Sequence, residues 1–257
     1  MSDENNISIL MSRFRTGSIK ELDNQKLHLR TDTKFIVPLD KLQDILSAFL
    51  DRYLILEVDG KREFDYYNRY YDTPDYYFYL CHYNGKKNRF KVRYRLYNDS
   101  LVAYMEVKHK SKGKTLKSRI QSEVSDSEIT SKDEEFISGE VGDITGRLVP
   151  KLDITYTRIT LFSPETHDKI TIDRNIAFRS VEFDKSVVLD RVIFVEVKTR
   201  KNIDPAFPVT ELKAMGFRNE RVSKYCTGVA LTCGDVKHGK FQKNIMTINK
   251  LSLKSGK

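Results

Sequence analysis

Asn88-Arg-Phe-Lys-Val-Arg-Tyr-Arg-Leu-Tyr97 and, one short turn later, Tyr104-Met-Glu-Val-Lys108 decide how the chain is read. On a β-strand, side chains alternate between faces. The first stretch then places Lys91, Arg93 and Arg95 on one face and Phe90, Val92, Tyr94 and Leu96 on the other. The second places Glu106 and Lys108 opposite Met105 and Val107. Neighbouring cations on one strand face repel by about 4 kcal/mol at 4 Å for an effective dielectric of 20. Such a row is tolerable in bulk water or around an anion, and the functional question is which of the two applies.

Working outward, Leu27 to Val37 alternates well enough for a strand that puts Arg30, Asp32 and Lys34 on one face. Pro38 is expected to open a helix whose apolar stripe runs from Leu39 to Tyr53. Residues 63–72 form a tyrosine-rich, β-prone run. It ends at Thr73-Pro74, where Thr73 is expected to cap a short helix reaching Tyr83. Such tyrosines more often pack a core than stack on bases. Lys110 to Arg119 reads as a basic loop returning into a short strand with Lys117 and Arg119 two apart. Ser125 to Glu128 reads as a capping box for a solvated helix. Lys151 to Phe162 alternates with Ile154, Tyr156, Arg158 and Thr160 on one side, and Lys169 to Phe178 returns as a hairpin partner carrying Arg174. Val188 to Arg200 repeats the Glu-Val-Lys spacing, so Glu196 and Lys198 share a face. Helices are expected near Pro208–Met215 and Val222–Thr232.

The 257 residues carry a net charge of +9, unevenly spread. Residues 121–143 hold one lysine against eight acids, which leaves a surplus of +16 elsewhere and points to an acidic partner. No apolar run approaches the ~20 residues of a membrane span, and the first residues do not resemble a signal peptide, so a cytoplasmic protein is expected. Cys81, Cys226 and Cys233 have neither disulfide nor zinc spacing. With no Pro/Gly/Ser-rich linker, one domain over residues 27–233 is expected, behind a polar leader at 1–26 and ahead of a basic flexible tail at 234–257.

Two arrangements suit the strand faces. An open sheet would leave its charges in water, but there the signs normally mix, whereas here positives outnumber acids about three to one. A barrel with charges inward and apolar residues outward, against helices, gives a wet tunnel lined by cations. Glu106 and Glu196 would then be suited to hold a divalent metal. No nucleophile elbow, convincing Cys/His pair or Walker A loop is present. Phosphoryl transfer needs none of them, because positioning and charge neutralisation suffice.

Nine short signals in order carry a family resemblance: Arg30-x-Asp32-x-Lys34, Tyr71-Asp72-Thr73, Lys91-x-Arg93-x-Arg95, Glu106-x-Lys108, Lys117-x-Arg119, Tyr156-x-Arg158, Asp173-Arg174, Glu196-Val-Lys198 and Arg221-x-Ser-Lys224-Tyr. The chain resembles the VTC domain, the polyphosphate polymerase domain of the vacuolar transporter chaperone family, within the triphosphate tunnel metalloenzyme (CYTH-like) superfamily. The resemblance implies an α+β fold: an antiparallel eight-stranded β-barrel tunnel with helices packed outside. It implies that Lys34, Arg93, Arg95, Lys108, Arg158, Lys198 and Lys224 grip phosphates, with Tyr156 alongside. Arg30, Lys91, Lys117, Arg119, Arg174 and Arg221 would extend the basic path. Glu196 would hold Mn2+ or Mg2+, with Glu106 and Asp32 as further metal candidates. The implied reaction is transfer of the ATP γ-phosphate onto inorganic polyphosphate. Tunnel triphosphatases start with E-x-E-x-K, and Arg30 and Asp32 stand at the two glutamate positions, which resembles the polymerase branch. Two other readings stay open: a triphosphatase or nucleotidase in the same tunnel, with Glu106 orienting water, and a non-catalytic polyphosphate-binding subunit. Nucleic acid is not expected, because RNA readers normally expose aromatics and basic residues on one open surface.

Overall fold

The computed structural model describes residues 2–24, 30–124, 129–142, 148–200 and 206–253. Eight strands follow one another in an antiparallel path: β2 (Arg30–Pro38), β11 (Val192–Arg200), β9 (Lys169–Ser180), β8 (Val149–Phe162), β4 (Glu63–Asp72), β5 (Arg89–Tyr97), β6 (Val102–Ser111) and β7 (Lys114–Ser122). Three short strands lie off this path. β1 (Thr16–Gly17) pairs with β3 (Leu54–Leu56), β3 with β8, and β10 (Ser186–Leu189) with β9. The path curls into a half-barrel until charges on its two edges feel one another, and Lys117 on β7 is repelled by Arg30 on β2. Among the described residues no ladder joins β2 to β7. Cations on both edges oppose that last pairing, so the tunnel keeps a seam.

The convex side is apolar, as the alternation requires. Phe35, Val37, Ile170, Ile172, Val195 and Val197 pack with α3 (Leu42–Phe49), α6 (Phe207–Ala214) and α1 (Ser2–Ser12). Val92, Tyr94, Met105 and Val107 pack with α4 (Tyr77–Tyr83) and α5 (Ser131–Val141). Each fully buried large side chain contributes about 1.5–3 kcal/mol. One part of the concave side is apolar as well. There α7 (Lys224–Thr232) and α8 (Gln242–Leu253) pack Tyr225, Val229 and Ile248 with Leu152, Ile154, Phe178 and Phe194. A Cβ on Gly228 would lie 2.5 Å from a Leu152 methyl and 2.6 Å from the Phe178 ring, so only glycine lets α7 sit this close.

Several expectations are revised. The basic loop is a two-residue hairpin turn, with Lys112 and Gly113 both at positive φ. The helix after Pro38 begins as a 3-10 turn and ends at Phe49, so Tyr53 follows it rather than belonging to it. The helix after Thr73 starts only at Tyr77, whose amide donates to Thr73 Oγ1 at 2.9 Å as expected of a cap, and Asp72 joins it by accepting from the Phe78 and Tyr79 amides. The expected box at Ser125–Glu128 lies outside the described residues, whereas Thr130 and Asp133 form a capping box for α5. The leader forms α1 with Ile7, Leu10 and Met11 buried, and the tail forms α8 with Ile245 and Ile248 buried, because each carries an apolar stripe. The three cysteines are free and buried. Among the described residues no helix is long and apolar enough to cross a membrane.

Candidate functional site

The polar faces of all eight strands of the path and the first turn of α7 converge on the concave side. On β5, Arg93 donates from Nε to Glu106 at 2.6 Å and from Nη1 to the Tyr70 hydroxyl at 3.1 Å. Arg95 donates to Asn68 Oδ1 at 2.8 Å and to the Tyr156 hydroxyl at 3.1 Å, with its guanidinium 5.2 Å from the Tyr66 ring centre. Tyr66 in turn stacks on Tyr156 at 5.1 Å. The tyrosine-rich strand therefore serves as packing that stiffens Arg95. Lys91 donates to the Oγ of Ser223, the N-cap of α7, at 2.7 Å.

On the facing wall, Arg158 grips Asp173 with two hydrogen bonds of 2.6 and 2.8 Å, and Lys224 pairs with the same carboxylate. Lys198 lies 2.9 Å and Lys34 3.4 Å from Glu196. Arg30 pairs with Asp32 at 3.0 Å near the start of β2, where both are exposed. Lys108 and Lys117 face each other across the β6–β7 ladder, and Arg119 lies over Tyr104.

The electrostatics of this wall are lopsided. Burial opposes ionisation of Glu106, but Arg93 and Arg95 outweigh it and hold its carboxyl at about 2. Asp173 and Glu196 are likewise kept well below the usual carboxylate range against burial, by Arg158 with Lys224 and by Lys198 with Lys34. The lysines go the other way. Desolvation, followed by repulsion from neighbouring cations, lowers Lys108 to about 7, Lys169 to about 7 and Lys117 to about 8. Lys117 is accessible to solvent, but its ammonium lies inside the curled sheet, where Arg30, Lys198 and Arg93 crowd it. Three lysines of the wall are thus harder to protonate than a free lysine, because burial and neighbouring cations both disfavour their charged form.

Of the residues named from sequence, Lys34, Lys91, Arg93, Arg95, Lys108, Lys117, Arg119, Tyr156, Arg158, Lys198, Lys224, Glu106 and Glu196 share the concave side. Arg30 and Asp32 sit at its edge. Arg174 points to the convex side, where it binds Glu63 at 2.7 and 2.9 Å and Glu4 of α1 at 2.7 Å. Its neighbour Asp173 has the inward position, since adjacent strand residues face opposite ways. Arg221 is exposed, and its carbonyl accepts from Asn244. Asp173, Lys169, Thr171 and Asn68 were missed as site residues. The alternation Lys169-Ile-Thr-Ile-Asp173, with Ile170 and Ile172 in the convex core, was the available signal for the first three.

Among the described residues no three of His, Cys, Asp and Glu converge on a point that could hold a metal ion. A cage built from protein ligands alone does not fit. What fits is a hard cation that takes one carboxylate, Glu196, together with phosphate oxygens, the manner in which Mg2+ commonly binds. Glu106 is engaged by two arginines and Asp32 by Arg30.

The VTC domain family matches residues 29–233. The chain belongs to the VTC domain family. Solved structures share the curled sheet with this VTC domain at low identity. A Hippeastrum protein, described as a candidate adenylyl cyclase with dominant triphosphatase activity, is 16% identical with a TM-score of 0.50; the match covers 82% of this chain and all of that one. Candidate adenylate cyclases from Bacillus halodurans and Vibrio parahaemolyticus are each 12% identical with TM-scores of 0.48. They cover 76% and 79% of this chain and 94% and 99% of their own. No curated protein sequence matches significantly. At these identities the structural likeness is one of fold.

Proposed function

We propose that this VTC domain is a metal-dependent polyphosphate polymerase that transfers the γ-phosphate of ATP to a growing inorganic polyphosphate chain. The observation that carries the reading is the concave wall itself, where Lys34, Arg93, Arg95, Lys108, Arg158, Lys198 and Lys224 converge from five strands and α7. In such a tunnel these side chains bind the triphosphate, hold the acceptor oxygen and the γ-phosphoryl in line, and spread the charge that develops between them. Manganese or magnesium, when bound, supplies further charge neutralisation at the phosphate oxygens.

A transferase is favoured over a hydrolase by the state of the carboxylates. Glu106, the candidate for orienting water, is locked to Arg93 and held at about 2, which makes it a feeble base at neutral pH. A phosphate chain end is already an anionic nucleophile and needs no base. The functional unit is proposed to run from residue 27 to 233, braced by α1 and α8, and to work in the cytoplasm.

The test is to incubate the protein with ATP and Mn2+ and separate the products on a gel. A polyphosphate ladder with ADP is expected, and it should vanish in Arg95→Ala and Glu196→Ala. Orthophosphate as the sole phosphate product would make the protein a triphosphatase. Binding of polyphosphate without turnover would make it a binding subunit.

A further inference from the structure

Three buried side-chain polar atoms have no hydrogen-bond partner among the described residues: His82 Nδ1, Asp133 Oδ1 and Thr171 Oγ1. His82 lies on α4 and Asp133 on α5, both outside the sheet, and the other oxygen of Asp133 accepts from Ser122 and Thr130. Thr171 is on the concave wall. It is 1% exposed, directly opposite Glu196 in the β9–β11 ladder and opposite Thr160 in the β8–β9 ladder. Lys169 and Asp173 flank it on the same face of β9. Enclosing a hydroxyl without a partner is unfavourable, and valine would fill the same space without that penalty. The position therefore calls for a ligand that uses the oxygen.

The neighbours say which ligand. A directly opposed pair on one strand face has its Cβ atoms about 5 Å apart, so Thr171 and Glu196 project from neighbouring points of the wall, with the carboxylate held by Lys34 and Lys198 and the hydroxyl unbonded. A polyphosphate would draw those two ammonium groups to itself and leave Glu196 and the hydroxyl as adjacent hard oxygen donors, the ligand type a divalent cation takes. Resting on the polyphosphate reading of the tunnel, we infer that Thr171 Oγ and the Glu196 carboxylate form the protein's share of a divalent-cation seat, which phosphate oxygens of the substrate complete. The cation is held firmly when it arrives with a phosphate chain, and weakly by the protein alone.

Calorimetry tests this without turnover. The full chain and its Thr171→Val and Thr171→Ser variants are titrated with tripolyphosphate in chelator and, separately, with the manganese–tripolyphosphate complex. The parent protein and Thr171→Ser should bind the manganese complex more tightly than the bare anion. Thr171→Val should bind the bare anion as the parent does, which also shows that it is folded, and should lose about tenfold or more in affinity for the manganese complex. Equal binding of the manganese complex by parent and valine variant would overturn the seat. So would an equal loss towards both titrants, which would make the hydroxyl a phosphate contact. A parent protein that binds neither titrant would overturn the tunnel reading and the seat with it.

Discussion

Asp173 faces Arg158 across the β8–β9 ladder and takes its guanidinium side-on, through Nε at 2.6 Å and Nη2 at 2.8 Å. Lys224, the first residue of α7, binds the same carboxylate. One acid thus neutralises two of the tunnel's cations and ties the interior helix to the wall.

Removing that acid should be costly in the empty protein. Asp173→Ala leaves two buried or half-buried cations unpaired, and a loss of about 3–5 kcal/mol is expected in denaturant unfolding. Tripolyphosphate should recover part of it by giving Arg158 and Lys224 another anion. Because the folded state depresses the Asp173 carboxyl, its contribution is present above the usual aspartate range and lost as the pH falls through the folded value. The variant should therefore show a flatter acid limb in its stability profile.

The crowded lysines act with the opposite sign. Lys108 and Lys169 at about 7 and Lys117 at about 8 in the folded protein compare with roughly 10.4 in the unfolded chain. Between those limits the unfolded state binds more protons, so the empty protein should gain stability as the pH rises from about 7 to 10. Polyanion affinity should fall over the same window, because deprotonated amines attract phosphate less. Thermal unfolding with and without tripolyphosphate across this range checks both slopes. Parallel slopes would sink the idea.

The seating of α7 should be sensitive to a single methyl group. Gly228→Ala drives a Cβ into Leu152 and Phe178, and a loss of about 1–3 kcal/mol is expected from overpacking. Lower polyanion affinity should accompany it, because Lys224 moves with the helix. Urea titration and calorimetry of the same variant measure the two effects.

Two arginines should separate cleanly. Arg95→Ala removes a buried guanidinium that Asn68 and Tyr156 hold towards the tunnel, and tripolyphosphate binding should fall steeply. Arg95→Lys should not restore it, since one ammonium cannot replace the fork of donors. Arg174→Ala should lower the melting temperature, by releasing Glu4 of α1 and Glu63, and leave tripolyphosphate affinity unchanged. A matching affinity loss in Arg174→Ala would place it in the tunnel after all.

The alternation of the strands was legible because it is local. Every cation of β5 could be assigned a face by counting in twos from Val92 and Tyr94, and the same counting would have placed Asp173 inward and Arg174 outward. The leader and tail were harder to read. Their apolar residues are few, and Ile7, Leu10, Ile245 and Ile248 become a core only when the rest of the molecule supplies the opposite surface.

The sequence by itself determined which residues would share a strand face, and hence that a cationic face and an apolar face run the length of the sheet. Short-range sterics settle this, since the two-residue period of a strand needs no partner. The tertiary structure decided what depends on contacts distant in the chain. It brought the β2 and β7 edges into electrostatic range, gave Arg93 to Glu106 and Arg158 to Asp173, and left Lys108, Lys117 and Lys169 crowded. It also set Thr171 beside Glu196 with no partner for its hydroxyl. Strand order and register fix those distances, and the alternation of Lys91, Arg93 and Arg95 is the same for every register in which their strand could pair.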